Sequence, residues 1–223
     1  MREPNRERKN EIKYGITLND EQKDAKRIIL ESQVSVVTGP PGTGKTLLCA
    51  QIALDLLNKK QINQVLLIRP TIQVGQSLGY LPGGLEEKLD PYFEAFMDCI
   101  RQCAKEDMVA KWLDKDHPKI KSIAIQFIRG MTFSSDTLVV CDEMQNSTIA
   151  EMMAILSRIG KDSKLIIVGD NGQQDTKDAI TGLKFTQDMS VHIPDIKLIK
   201  LKSNHRSEIV EKIWSYYNKY RNA

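Results

Sequence analysis

Residues 39–46 read Gly39-Pro40-Pro41-Gly42-Thr43-Gly44-Lys45-Thr46 and fit the pattern G-x-x-x-x-G-K-[ST] at every fixed position. A loop of this kind has to lie between a buried strand and the start of a helix, and the flanking residues comply. Residues 34–37, Val-Ser-Val-Val, are short and β-branched, whereas residues 46–57 run Thr-Leu-Leu-Cys-Ala-Gln-Ile-Ala-Leu-Asp-Leu-Leu and read as helix. The glycines let the backbone curl so that N–H groups point inward at phosphate oxygens, and the helix N-terminus adds partial positive charge. Lys45 is placed to reach β and γ phosphates, and the Thr46 hydroxyl to bind Mg²⁺. The competing reading, a Gly/Pro-rich turn with a chance lysine, is disfavoured by the strand before it and the helix after it.

Three later strand ends carry polar residues that suit the same chemistry. Residues 138–141, Leu-Val-Val-Cys, read as a buried parallel strand, and Asp142 and Glu143 follow at its tip. Carboxylates are hard oxygen ligands and good proton acceptors, so Asp142 is expected to hold the magnesium shell and Glu143 to polarise the attacking water. An exposed acidic turn is the alternative, and the phosphate loop upstream argues against it. Residues 164–168 form another apolar strand that ends in Gly169-Asp170-Asn171-Gly172-Gln173, which puts Gln173 near a γ-phosphate, although alone it passes for an ordinary turn residue. After a strand at 196–201, Arg206 is a candidate for stabilising charge on the transferring phosphate; a surface arginine near a helix start is the equal alternative. Near the start of a helix capped by Asn19 or Asp20, Gln22 can donate and accept as an adenine edge demands, or it is an exposed helical glutamine.

At 223 residues the chain has room for one large α/β domain, or one domain with a sizeable insertion. We expect a charged arm over residues 1–14 and a domain over 15–223 with an elaboration at about 71–133. The first nine residues are charged with no apolar stretch behind them, unlike a secretory signal, and no apolar run approaches the roughly 20 residues that span a bilayer. A cytoplasmic protein with no membrane partner is expected. Cys49, Cys99, Cys103 and Cys141 are scattered without metal-ligand spacing and read as free thiols. The net charge of +3 permits nucleic-acid binding without arguing for it. Residues 71–90 lack periodicity, follow the C-terminal end of a strand at 65–68, and are read as functional, with Arg69, Gln73, Gln76 and Tyr80 as candidate contacts to nucleic acid. Helices are read at 86–105, 148–159 and 208–220. The stripe Ile149, Met152, Met153, Leu156 and Ile159 is taken as core.

The ordered set of residues 39–46, Asp142-Glu143-Met144-Gln145, Gly169-Asp170-x-x-Gln173 and Asn204-His205-Arg206-Ser207 resembles the motif series of superfamily 1 helicases. A closer resemblance is to the PhoH-like ATPases, through Arg69-Pro70, Leu78-Gly79-Tyr80-Leu81-Pro82-Gly83, Lys88, Asp90-Pro91-Tyr92 and Arg129-Gly130-Met131-Thr132-Phe133. It covers roughly residues 17–213 and departs at Gln76, where such proteins carry an acid, and around Arg206, whose neighbourhood is closer to the helicase form.

The resemblance implies a single RecA-like P-loop NTPase domain, α/β, with a mainly parallel sheet flanked by helices on both faces. It implies binding and hydrolysis of ATP with Mg²⁺, action on RNA or single-stranded DNA, and assembly into rings. It casts Gln22 as the adenine reader, Gln173 as the γ-phosphate sensor and Arg206 as the phosphate-contacting arginine. With no second RecA-like domain in the chain, a homo-oligomer, a hexameric ring, is expected to complete the nucleotide site. An ATP-dependent switch or adaptor with little turnover is the alternative. A small-molecule kinase shares the loop, but the lid and acceptor pocket it needs have no visible sequence here.

Overall fold

Six strands form one sheet: β1 (Val34–Thr38), β2 (Gln64–Arg69), β3 (Ile120–Ala124), β4 (Thr137–Cys141), β5 (Lys164–Gly169) and β6 (Ile196–Lys200). They lie in the order β3-β2-β4-β5-β1-β6, and every pairing is parallel. The computed structural model describes residues 12, 14–70, 85–113, 118–174, 180–205 and 208–221. Gln73, Gln76, Tyr80 and Arg206, together with nearly all of the expected N-terminal arm, lie outside the described residues.

Successive side chains of a strand point to opposite faces, so a strand apolar at nearly every position needs cover on both sides. That is what the central strands receive. Val37, Leu67, Val140 and Ile166 pack on one face with α1 (Asp20–Glu31), α2 (Lys45–Asn58), α3 (Leu85–Cys103) and α4 (Glu106–Trp112). Val36, Ile68, Val139, Cys141 and Ile167 pack on the other with α5 (Ile149–Leu156), α6 (Gly182–His192) and a 3-10 turn at Ile125–Ile128. The helix α7 (Glu208–Arg221) follows the last strand. The architecture is a RecA-like P-loop α/β domain.

Local sequence explains several elements. α1 begins with a capping box in which Asn19 accepts from the Gln22 N–H and the Gln22 side chain accepts from the Asn19 N–H. α5 begins with a second one, made by Thr148 and Glu151. α2 is buried almost all round because α1 and α3 pack along it while its inner side meets the sheet.

Three expectations change in detail. The apolar run from residue 120 is a strand only to Ala124 and then tightens into the 3-10 turn. Since β3 pairs with β2, the stretch 71–133 contributes a strand to the main sheet as well as helices. The stripe on α5 is not all core: Met152 and Ile155 are buried, whereas Ile149 and Met153 are 38% and 44% exposed, because this short helix turns only one narrow side to the sheet.

Ile52 lies fully buried on α2 between the sheet and the neighbouring helices. Ile52→Ala is expected to cost about 2–5 kcal/mol through lost burial and the cavity left behind. Urea unfolding should show a lower midpoint with an unchanged slope; an unchanged midpoint would contradict this packing.

Candidate functional site

Strand register brings three strand ends to the same level. Thr38 at the end of β1 pairs with Gly169 at the end of β5, and Cys141 at the end of β4 pairs with Ile167 of β5 and Ile68 of β2. The segments after β1, β4 and β5 therefore leave the sheet side by side at its carboxyl edge, where open α/β sheets bind ligands.

Residues 39–44 curl from β1 into α2, with Gly44 at φ 76 as the residue before the helix. That left-handed conformation suits glycine, and a Cβ there would also stand 2.5 Å from Gln22 Nε2. A Cβ on Gly39 would meet the backbone oxygen of Leu201 at 2.4 Å, so β6 presses on the base of the loop. The Lys45 ammonium donates to the carbonyls of Gly39 at 2.6 Å and Pro40 at 3.0 Å. The Thr43 hydroxyl donates to Pro40 O at 3.0 Å, which ties the curl together.

The acids stand across from this loop. Pro41, Gly42, Gly44, Lys45, Thr46, Asp142, Glu143 and Gln173 all border one cavity of about 260 Å³. Asp142 is nearly buried; its Oδ1 accepts from the Glu143 N–H at 3.0 Å and its Oδ2 from Arg69 Nη2 at 2.6 Å. Arg69, read as a candidate nucleic-acid contact, thus turns its guanidinium to the carboxylate. Glu143 adopts φ 57, a left-handed conformation rare for a residue with a side chain and costing roughly 1–3 kcal/mol. Gln145, 1% exposed, holds it: its Nε2 donates to Glu143 Oε2 at 2.6 Å while its Oε1 accepts from the Asp170 N–H at 3.0 Å. Asp170 in turn accepts from the Gly172 N–H and shapes the turn that carries Gln173.

Cys99 of α3 also borders the cavity. Burial pushes its thiol up to about 11, so it stays protonated and is no nucleophile. A second cleft of about 530 Å³ opens on the far side of Gly39 and Pro40, between α6 and β6. It borders neither Lys45 nor the two acids, and the chemistry is assigned to the smaller cavity.

Thr46 and Asp142 offer hard oxygen donors on a shared cavity, a set that suits Mg²⁺, which completes its octahedron with waters and phosphate oxygens. Among the described residues no group of three or more His, Cys, Asp or Glu forms an all-protein cage for a metal.

Gln22 has a different setting from a free base reader. It is 2% exposed, and its amide is engaged at both ends by Thr43 O and by the Asn19 N–H. The spacing Asn19-x-x-Gln22 is the sequence signal of this arrangement, a capping box. Arg69 and Gln145 gave no comparable local signal as parts of the site, because their partners lie 73 and 25 residues away along the chain.

The profile of a protein family described as PhoH-like protein matches residues 16–218. A "PhoH-like protein" of Mycobacterium leprae is 34% identical over 92% of this chain and 61% of its own length. One of Bacillus subtilis is 36% identical over 81% of this chain and 57% of its own, and "Protein PhoH" of Escherichia coli K12 is 32% identical over 70% and 44%. The chain thus spans only about half to three fifths of these curated relatives. Among solved structures, the Pif1 helicase from Candida albicans aligns over 91% of this chain and 44% of its own, at 18% identity and a TM-score of 0.49. No helix among the described residues is long and apolar enough to cross a membrane.

Glu21 ties α1 to the segment after β6: its carboxylate accepts from the N–H groups of Ser203 at 2.9 Å and Lys202 at 2.8 Å. The Ser203 bond, with smaller help from Lys202, holds this carboxyl below its ordinary value of 4.5. A depressed carboxyl stabilises the fold above its unfolded pKa and loses that contribution as pH falls through the folded one. The stability difference between wild type and Glu21→Gln should therefore be small but steady near neutrality and shrink in acid below that value. Urea midpoints of both proteins across this range check it, and a difference that grows in acid would be inconsistent with the geometry.

Proposed function

The chain belongs to the PhoH-like protein family, and from that premise we propose that it is a Mg²⁺-dependent ATP-binding and ATP-hydrolysing protein coupled to RNA or single-stranded DNA. The observation that carries the reading is the shared cavity, where Lys45 and Thr46 face Asp142, Glu143 and Gln173. These are the groups that phosphoryl transfer to water requires, since such catalysis is mostly positioning and charge stabilisation. Mg²⁺ bound by Thr46 and Asp142 supplies neutralising charge on the β and γ phosphates.

The chain's own residues divide the remaining work. Loop N–H groups and the N-terminal turn of α2 cradle the phosphates, and the Lys45 ammonium sits where their charge gathers. The Glu143 carboxylate, held by Gln145, accepts the proton of a water aimed in line with the bond that breaks. Gln173 stands on the turn organised by Asp170, in reach of the γ-phosphate side of the cavity. Arg206, outside the described residues, is proposed as the arginine that stabilises charge on the transferred group. Assembly into a homo-oligomeric ring in the cytoplasm belongs to the same proposal and is supported by the family resemblance.

A second reading, an ATP-dependent switch with little turnover, is favoured by the Arg69–Asp142 pair. Arg69 is the last residue of β2, so a change at Asp142 is felt where the chain enters residues 71–84. Steady-state phosphate release, measured alone and with single-stranded and duplex RNA and DNA, separates the readings: turnover stimulated by one of these ligands supports the first, and bound nucleotide with no turnover in any mixture supports the second.

Glu143→Gln keeps the side chain's size and its place beside Gln145 but removes the proton acceptor. Nucleotide affinity should be retained while hydrolysis falls by about 10²–10⁴-fold. Turnover at the wild-type rate would remove Glu143 from this role.

A further inference from the structure

The first turn of α1 is bonded to the phosphate loop and to the segment after β6 at once. Gln22 Nε2 donates to Thr43 O at 3.0 Å, within the loop. Its Oε1 accepts from the Asn19 N–H at 3.0 Å, and the Gln22 N–H donates back to Asn19 Oδ1 at 2.7 Å. Beside it, the Glu21 carboxylate holds the N–H groups of Lys202 and Ser203. Asn19 Nδ2 meets His205 Nε2 at 3.0 Å, and the His205 N–H donates to Gly42 O at 3.0 Å, which closes the circuit on the loop. The Asn19 amide orientation is set by its cap bond, so its NH₂ is the donor and the His205 Nε2 the acceptor.

Turning Gln22 toward a base edge would break two bonds and leave the Thr43 carbonyl and the Asn19 N–H without these partners. It would also vacate the space against Gly44, where the amide already lies so close that no Cβ fits. We propose that Gln22 is a positioning residue that holds the phosphate loop through Thr43 and Gly44, and that the base of the nucleotide is not read by it. The site then takes its ligand by the triphosphate, and loss of Gln22 weakens any triphosphate alike. The inference rests on the nucleotide reading given above. It replaces the adenine-reading role implied for this residue by family resemblance.

The test compares three ligands that share the phosphates and differ in the base: AMP-PNP, GMP-PNP and inorganic tripolyphosphate, each with Mg²⁺, titrated calorimetrically into the full chain. Gln22→Ala removes both side-chain bonds. Gln22→Glu keeps an acceptor for the Asn19 N–H, and so the helix cap, but sets an oxygen against the Thr43 carbonyl and isolates the loop contact. Both variants should weaken all three ligands by the same factor, about tenfold, the equivalent of one buried hydrogen bond. A loss confined to AMP-PNP would overturn the proposal in favour of base reading, and unchanged affinity for all three would overturn it as well. Failure of the wild-type chain to bind any of the three would instead overturn the nucleotide reading on which the proposal rests.

Discussion

Parallel pairing of β4, β5 and β1 in a register that ends them together is the constraint on which the remainder of the molecule depends. With Thr38 opposite Gly169 and Cys141 beside Ile167, the phosphate loop, the two acids and the Gln173 turn all start from one edge. A shift of one residue in any of these strands would turn its apolar side chains to the wrong core and move its tip by about 3.3 Å, so packing and site geometry are fixed by the same register. The two hydrophobic layers are therefore also what keeps the acids at their distance from Lys45.

Above that edge the connections are made largely by side-chain amides. Gln145 joins Glu143 to Asp170, Gln22 joins α1 to the loop, and Asn171 donates to Gln187 of α6 at 2.9 Å. An amide donates and accepts at the same time, so it can link a carboxylate to a backbone N–H, which neither an acid nor a lysine can do alone. It also keeps that capacity at every pH. The strained backbone at Glu143 is held in place by such a bond on one side and by the burial of Met144 on the other.

Much of this was legible in the sequence because the signals are local. The loop motif, the β-branched runs and the acids at a strand tip each need only a dozen residues to be read, and all fall where expected. What escaped depends on distant partners. The Arg69–Asp142 pair and the Gln145 bridge follow from strand order, which no short segment encodes. α6 was not anticipated because its inner side is not an apolar stripe: Thr186 and Gln187 are buried there beside Leu183, and Thr186 satisfies its hydroxyl on Gly182 O. Conversely, the stripe on α5 promised more burial than a helix of its length delivers, since Ile149 and Met153 lie past the margin of the sheet it covers. At Gln22 the residue type was compatible with a base, and only the bonds to Thr43 and Asn19 show what the amide is already holding.

The outer strands carry a consequence of their own. β3 and β6 each have a single neighbour, which leaves one backbone margin of each without a strand partner among the described residues. Both margins bear exposed lysines, Lys121 on β3 and Lys197 and Lys200 on β6. An approaching strand would have to desolvate those ammonium groups, and the two margins, being of like charge, repel each other. The sheet is thereby closed to growth by lateral addition, so neighbours of any kind must meet this molecule through its helices or its loop-bearing edge.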